Sequence, residues 1–262
     1  MGKGNKQAKL AAVMPLFIAK NAQLDEGIFD GGVEDVCQTF LDAGCAVYEV
    51  IDGLFGSGWC REQCPGPNEW ESINRCYRAG RRGVGSAYRE GILRAYEDGA
   101  DLVLQFDYGQ SISSALHVLS VAESLWQEEG WRDFLVFCQR TDVRFGRSWG
   151  RAMLHRIGSF LWSGLLPTSN IPDSSCGLRC WSRGLIETMP WKKIGAQGYF
   201  WNSEALFYAL KGGAETYCLD FWDNPDQRSS LGIRQVLEAL VDFLKLWRRQ
   251  GGQWTRPPFL IL

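Results

Sequence analysis

The feature that most constrains this chain is an alternation of two periodicities. Short apolar runs, "LAAVMPLF" (10–17), "CAVYEVIDG" (45–53), "DLVLQFD" (101–107) and "FLVFCQR" (134–140), are separated by stretches whose apolar residues recur every three to four positions. Runs of that length bounded by turn residues read as strands, and the longer spacing reads as helix. In "DEGIFDGGVEDVCQTFLDAG", Val33, Val36, Phe40 and Leu41 share a face and Gly44 follows as a stop. In "SAYREGILRAYEDGA", Tyr88, Ile92, Ala95 and Tyr96 share a face before Gly99, and "SSALHVLSVAESLWQ" is a third helix. Strand, helix, strand in repetition requires right-handed crossovers and a mostly parallel sheet flanked by helices.

In such a sheet ligands gather at the carboxyl ends of the strands. Asp52, Asp107 and Arg140 each terminate a predicted strand. A single acid there is often only a turn residue, but three polar strand ends coinciding favour a site. The second half is less regular. "RSWGRAMLHRIGSFLWSGLL" predicts an amphipathic helix with Arg147, Arg151 and Arg156 off its apolar face. A loop, the strand "GLRCWS" and a short helix follow, then a helix in "GYFWNSEALFYALKGG" and a strand in "AETYCLDFWD". The tail "IRQVLEALVDFLKLWRRQ" is amphipathic, with Val236, Leu240, Phe243, Leu244 and Trp247 on one face. It packs on the sheet or rests on an anionic membrane surface, and the first is preferred.

Composition excludes some functions. Lys and Arg total 28 against 30 acids, a net charge of −2, which argues against a broadly basic nucleic-acid binder. Of those cations 20 are arginine, the residue that grips phosphate in two-pronged geometry. No apolar run spans a bilayer and "MGKGNKQAKL" does not resemble a signal peptide, so the expected location is cytoplasmic, peripheral at the membrane if the tail helix binds there. The 9 cysteines are read as reduced thiols. The pairs Cys60/Cys64 and Cys176/Cys180, with Cys76, lack zinc-ribbon spacing. His117 and His155 fall within helices and receive no role. Trp59, Trp70, Trp149 and Trp162 either stack on a ligand or belong to the core, and core is preferred.

The order of motifs resembles family 2 glycosyltransferases, most closely the dolichol-phosphate mannose synthase and polyprenyl-phosphate glycosyltransferase branch. "AAVMPLF" is similar to the first strand with its proline, and "YEVIDGLFGSG" to the second strand and its turn. "RRGVGSAYREGILRAYEDGADLVLQFD" resembles the glycine-rich helix leading into the metal-site strand. "FCQRTDVRFGRSWGRAM" resembles the segment with two phosphate-binding arginines, and "PDSSCGLRCWSR" the Asp-x-x-Ser-Gly-Phe-Arg loop. "NSEALFYALKGG", with Glu204, and "DQRSSLG" resemble the last helix and the Arg-x-x-Ser ending.

The resemblance implies a single-domain α/β GT-A fold over residues 10–232, preceded by a tail at 1–9 and followed by an amphipathic helix and tail at 233–262. It implies inverting sugar transfer from a nucleotide-diphosphate sugar, with a polyprenyl phosphate as one expected acceptor. Pro15, Phe17, Asp52, Gly85, Asp107 and Arg228 would bind the donor. Asp107 would hold Mg²⁺ or Mn²⁺, Arg140 and Arg147 would bind phosphate oxygens, and Asp173 would face the sugar. Where the family has Asp-x-Asp, however, this chain has Asp107, Tyr108 and Gly109. Its paired aspartates appear as Ile51 and Asp52, and its Asn-Glu as Ile18 and Ala19. The ion is therefore expected to be weakly held, with Gln110 or Ser111 nearby, or dispensable. Two alternatives stay open: a catalytically silent relative that binds a nucleotide or a partner protein, and a transferase acting on a hydroxyl acceptor such as a polymer or nucleic acid, with Asp173 as base.

Overall fold

A computed structural model describes residues 7–17, 32–52, 73–78, 82–108, 110–129, 132–140, 162, 173–221 and 233–252. The first half follows the predicted alternation: β1 (Leu10–Phe17), α1 (Gly32–Asp42), β2 (Cys45–Asp52), β3 (Ile73–Arg78), α2 (Val84–Glu97), β4 (Leu102–Gln105), α3 (Ile112–Glu129) and β5 (Phe134–Arg140). Then come β6 (Arg179–Ser182), α4 (Arg183–Thr188), a 3₁₀ turn (Trp191–Lys193), α5 (Trp201–Lys211), β7 (Glu215–Phe221) and α6 (Ile233–Arg249).

The strands form one 7-stranded sheet in the order β3-β2-β1-β4-β6-β5-β7. All described pairings are parallel except those of β6, which runs antiparallel between β4 and β5. Two apolar layers cover the sheet. Val33, Val36 and Phe40 of α1 pack with Val118 and Leu119 of α3 on one face. Tyr88 and Ile92 of α2, Leu185 of α4, Ala205 and Leu206 of α5, and Phe243 and Leu246 of α6 fill the other. The result is the helix–sheet–helix architecture that crossover connections impose.

Strand β3 has no counterpart among the predicted elements. Its sequence "INRCYR" is mostly polar, and it lies at the sheet edge, where only Arg78 is fully buried; an edge strand can forgo the apolar signature of a central one. The tail helix also departs from expectation. Phe243 and Leu246 are buried against the core, but Leu240 and Leu244, predicted on the same face, are 43% and 41% exposed. With Leu237 and Val241 they form an outward apolar stripe at helical spacing. Trp162 is core, as preferred from the sequence; Trp59, Trp70 and Trp149 lie outside the described residues. Among the described residues no helix is long and apolar enough to cross a membrane.

Candidate active site

Strands β1 and β4 adjoin where the strand order reverses direction, the position at which open α/β sheets form a ligand crevice. Their pairing stops at Val13↔Gln105, while β1 continues to Phe17. Pro15 fits here because its missing N–H faces the β4 side beyond that last pair, so no ladder bond is lost. Register places Phe17 beside Asp52, and Asp52 beside Arg78. Asp107 and Arg140 follow at the carboxyl ends of β4 and β5. The backbone thus brings Pro15, Phe17, Asp52, Asp107 and Arg140 to one edge of the sheet. The side chains of Phe17, Asp52 and Arg140, and all of Arg147, Arg151 and Arg228, lie outside the described residues.

Asp107 is held from three sides. Tyr88 of α2 donates its phenol to Oδ1. Gln110 accepts the Asp107 N–H through Oε1 at 3.0 Å and turns Nε2 toward Oδ2 at 3.4 Å. Gly177 closes the third side: a Cβ there would lie 2.2 Å from Oδ2. Burial, and then the Asp107 charge, push the Tyr88 phenol well above its ordinary range, so it remains a donor.

The loop carrying Asp173 is built on one buried guanidinium. Arg179, fully inaccessible at the start of β6, donates Nε to Cys176 O at 3.0 Å, Nη1 to Asn202 O at 2.6 Å and Nη2 to Ser174 O at 2.6 Å. Burial lowers its pKa to about 10, and the nearby Cys176, Asp173, Tyr88 and Asp107 act in the opposite direction, so it is cationic at neutral pH. Asp173 is itself buried, and its Oδ1 accepts the backbone N–H and the hydroxyl of Ser175 at 2.9 and 2.7 Å. Gln105, buried in β4, donates to Gly177 O and to Asn202 Oδ1, both at 2.8 Å, and accepts from Trp181 at 3.3 Å. Every polar atom of its amide is thereby engaged, as burial demands.

The glycine-rich turn before α2 is packed rather than open. The Gly85 N–H donates to Gln197 O at 2.7 Å, and a Cβ at Gly85 would meet Trp201 Cβ at 2.3 Å. Glu204, also fully buried, accepts the Gly195 and Ala196 N–H groups at 3.0 and 2.7 Å and pairs with Arg249 of α6 at 2.5 Å. A cleft of about 740 Å³ lies at the opposite edge of the sheet, lined by Lys192, Lys193, Lys211 and Arg249. These cations sit in the last turns of the 3₁₀ turn, α5 and α6, where unsatisfied carbonyls attract them.

Sequence reading placed Tyr88 only on a helix face and assigned no site role to Gln105, Arg179, Asn202 or Arg78. Gln105 carried a signal, a lone amide inside an apolar strand. Arg179 stood in the Asp-x-x-Ser-Gly-Phe-Arg-like loop without a role assigned. Arg78 donates Nη2 to Ser86 Oγ at 2.6 Å and sets Nε 3.2 Å from Glu90, yet Nη1 has no hydrogen-bond partner among the described residues. Among those residues the thiols are unbridged, and no three His, Cys, Asp or Glu side chains group as a metal site. Among the described residues the set in contact with Asp107 fits a hard divalent ion poorly: its one carboxylate already accepts hydrogen bonds and lies near a buried guanidinium.

No family model and no curated protein matches this sequence. Solved structures do match. Glucosyl-3-phosphoglycerate synthase of Mycobacterium tuberculosis superposes with a TM-score of 0.57 at 14% identity, over 93% of this chain and 81% of that one. The same enzyme has been solved in complex with Mn²⁺, UDP-glucose and phosphoglyceric acid, with a TM-score of 0.58 at 14% identity, over 91% and 79% of the two chains. Mannosyl-3-phosphoglycerate synthase of Rubrobacter xylanophilus gives 0.60 at 15% identity, over 93% and 75%. The chain therefore has the GT-A fold of nucleotide-diphospho-sugar transferases.

Proposed function

We propose that this chain transfers a sugar from a nucleotide-diphosphate sugar to an acceptor, with inversion at the anomeric carbon. The observation carrying this reading is the meeting of Asp107 with the 173–178 loop at the strand-order switch point, across Gly177. It is supported by the similar fold of enzymes solved with UDP-glucose. The acceptor oxygen attacks the anomeric carbon opposite the diphosphate, the bond from that carbon to the diphosphate oxygen breaks, and the electron pair leaves with the nucleotide. Guanidinium charge at the carboxyl edge stabilises the departing diphosphate. A phosphate acceptor is already anionic and needs no base; a hydroxyl acceptor would use Asp173.

A polyprenyl phosphate is the acceptor we favour, and α6 supplies the reason. Leu237, Leu240, Val241 and Leu244 are 57%, 43%, 49% and 41% exposed, and Arg248 follows in the last turn of the helix, an arrangement suited to the surface of an anionic bilayer. The test supplies UDP- and GDP-sugars with either polyprenyl phosphate in anionic vesicles or free phosphoglycerate, and follows nucleotide release and label transfer. Transfer to the lipid, with vesicle binding lost in Leu240→Glu, supports both halves of the reading. Transfer to phosphoglycerate alone removes the lipid, and transfer to neither, with no nucleotide bound, removes the enzyme.

A further inference from the structure

We propose that this chain binds the donor diphosphate without a resident divalent ion, the charge being met by guanidinium groups of the protein. The inference rests on the donor reading above, and it departs from the Mn²⁺ found with the similar M. tuberculosis enzyme.

At a nucleotide site a hard cation takes most of its oxygens from phosphate and water, but it still needs one or two carboxylates turned toward it. Here Gly109 stands two residues after Asp107, where a second acid would be needed. Oδ1 of Asp107 accepts the Tyr88 phenol, and Oδ2 lies against Gly177 and the Gln110 amide nitrogen. Gln110 is a poor substitute ligand, because its carbonyl oxygen is committed to the Asp107 N–H at 3.0 Å and the amide is fixed in that sense.

A permanent cation already occupies this neighbourhood. Arg179 lies within electrostatic reach of Asp107 and Asp173, and all its described hydrogen bonds run to backbone carbonyls. Its charge is therefore shared with the site rather than consumed by one ion pair, and it repels a second cation. Burial makes such a fixed charge more effective than it would be in water. The backbone of Arg140 ends β5 at the same edge, three residues past Phe137, the cross-strand partner of Arg179, and we assign the second guanidinium to this residue. Arginine suits that task through its planar, two-pronged fit to phosphate.

The test uses the wild-type chain. UDP and GDP affinities are measured by calorimetry in excess chelator and in Mn²⁺, and Mn²⁺ retention is measured by equilibrium dialysis with nucleotide present. The expected result is equal affinity in both buffers and no stoichiometric Mn²⁺ held with the nucleotide. Arg140→Gln should lose about tenfold or more in chelator, the worth of one charge-assisted hydrogen bond. Affinity that vanishes in chelator and returns with bound Mn²⁺ overturns the metal-free inference while leaving the donor reading intact. No binding of any nucleotide in either buffer overturns both.

Discussion

At Gly85 the missing side chain is a packing requirement. The backbone there is not left-handed, yet a Cβ would lie 2.3 Å from Trp201 Cβ, and Trp201 is 1% exposed with no room to retreat. Gly85→Ala is expected to cost about 1–3 kcal/mol, the range for overpacking a filled interior, read as a lower urea midpoint with unchanged slope. An unchanged midpoint would mean that the first turn of α2 yields easily. Arg179 poses the opposite case, a large group whose every described bond is used. Lysine cannot reach the carbonyls of Ser174, Cys176 and Asn202 at once. Arg179→Lys is expected to lose about 3 kcal/mol of stability, since hydrogen bonds to charged groups are worth about 1.5–3 kcal/mol each and the orphaned carbonyls remain buried. Nucleotide affinity should fall with it, because Gly177 rides on the same loop as Asp173. A variant as stable as wild type would show the loop to be held by other means.

At the scale of elements, α5 couples the site to the far side of the fold. Its first turn supplies Asn202 to the 173–178 loop and Glu204 to the 195–196 backbone, while Arg249 reaches Glu204 from α6 and donates to Lys193 O at 2.5 Å. Arg249 is 39% exposed on its side chain whereas Glu204 is not exposed at all. Removing the arginine alone therefore leaves a buried carboxylate with only its two amide donors. Arg249→Met is expected to cost about 2 kcal/mol, below the range for a fully buried pair because water reaches the guanidinium. Adding Glu204→Gln should recover part of that loss, and a double-mutant cycle with no coupling energy would show that the two groups act independently. The elements themselves were legible where the sequence carries apolar residues at strand or helix spacing, as β7 does even at a sheet edge. β1, β2 and β4 are central and announced themselves as apolar runs, whereas β3, at the edge, did not. The strand-end acids and Arg140 were legible for the same reason, each being a polar stop on an apolar strand. Tyr88, Arg179 and Asn202 were not, because their meaning lies in partners such as the backbone carbonyls of separate loops, which no local pattern encodes. The face of α6 was half legible, since an apolar stripe in sequence does not say which part meets the core.

For the molecule as a whole, two apolar layers enclose a sheet that carries several buried thiols and phenols, and this sets its response to alkali. Burial, then the Glu123 charge, pushes the Cys45 thiol from 9.0 up to about 12. Burial, then the hydrogen bond to Asp98, moves the Tyr48 phenol from 10.0 to about 12. Burial also raises Cys138, Cys180 and Tyr88. In each case the folded state holds the proton more tightly than the unfolded chain does. For Cys45 and Tyr48 the stabilisation is then complete below the ordinary values of 9.0 and 10.0 and is lost progressively as pH rises toward about 12, where these two groups also ionise in the folded state. The unfolding free energy, measured in urea under reducing conditions, is expected to fall steadily between these limits, with a slope that reports the excess protons bound by the folded state. Tyr48→Phe removes one of those protons, so its slope between about pH 10 and 12 should be shallower than that of wild type. Parallel slopes for the two proteins would show that the Tyr48 hydroxyl titrates as freely in the fold as outside it.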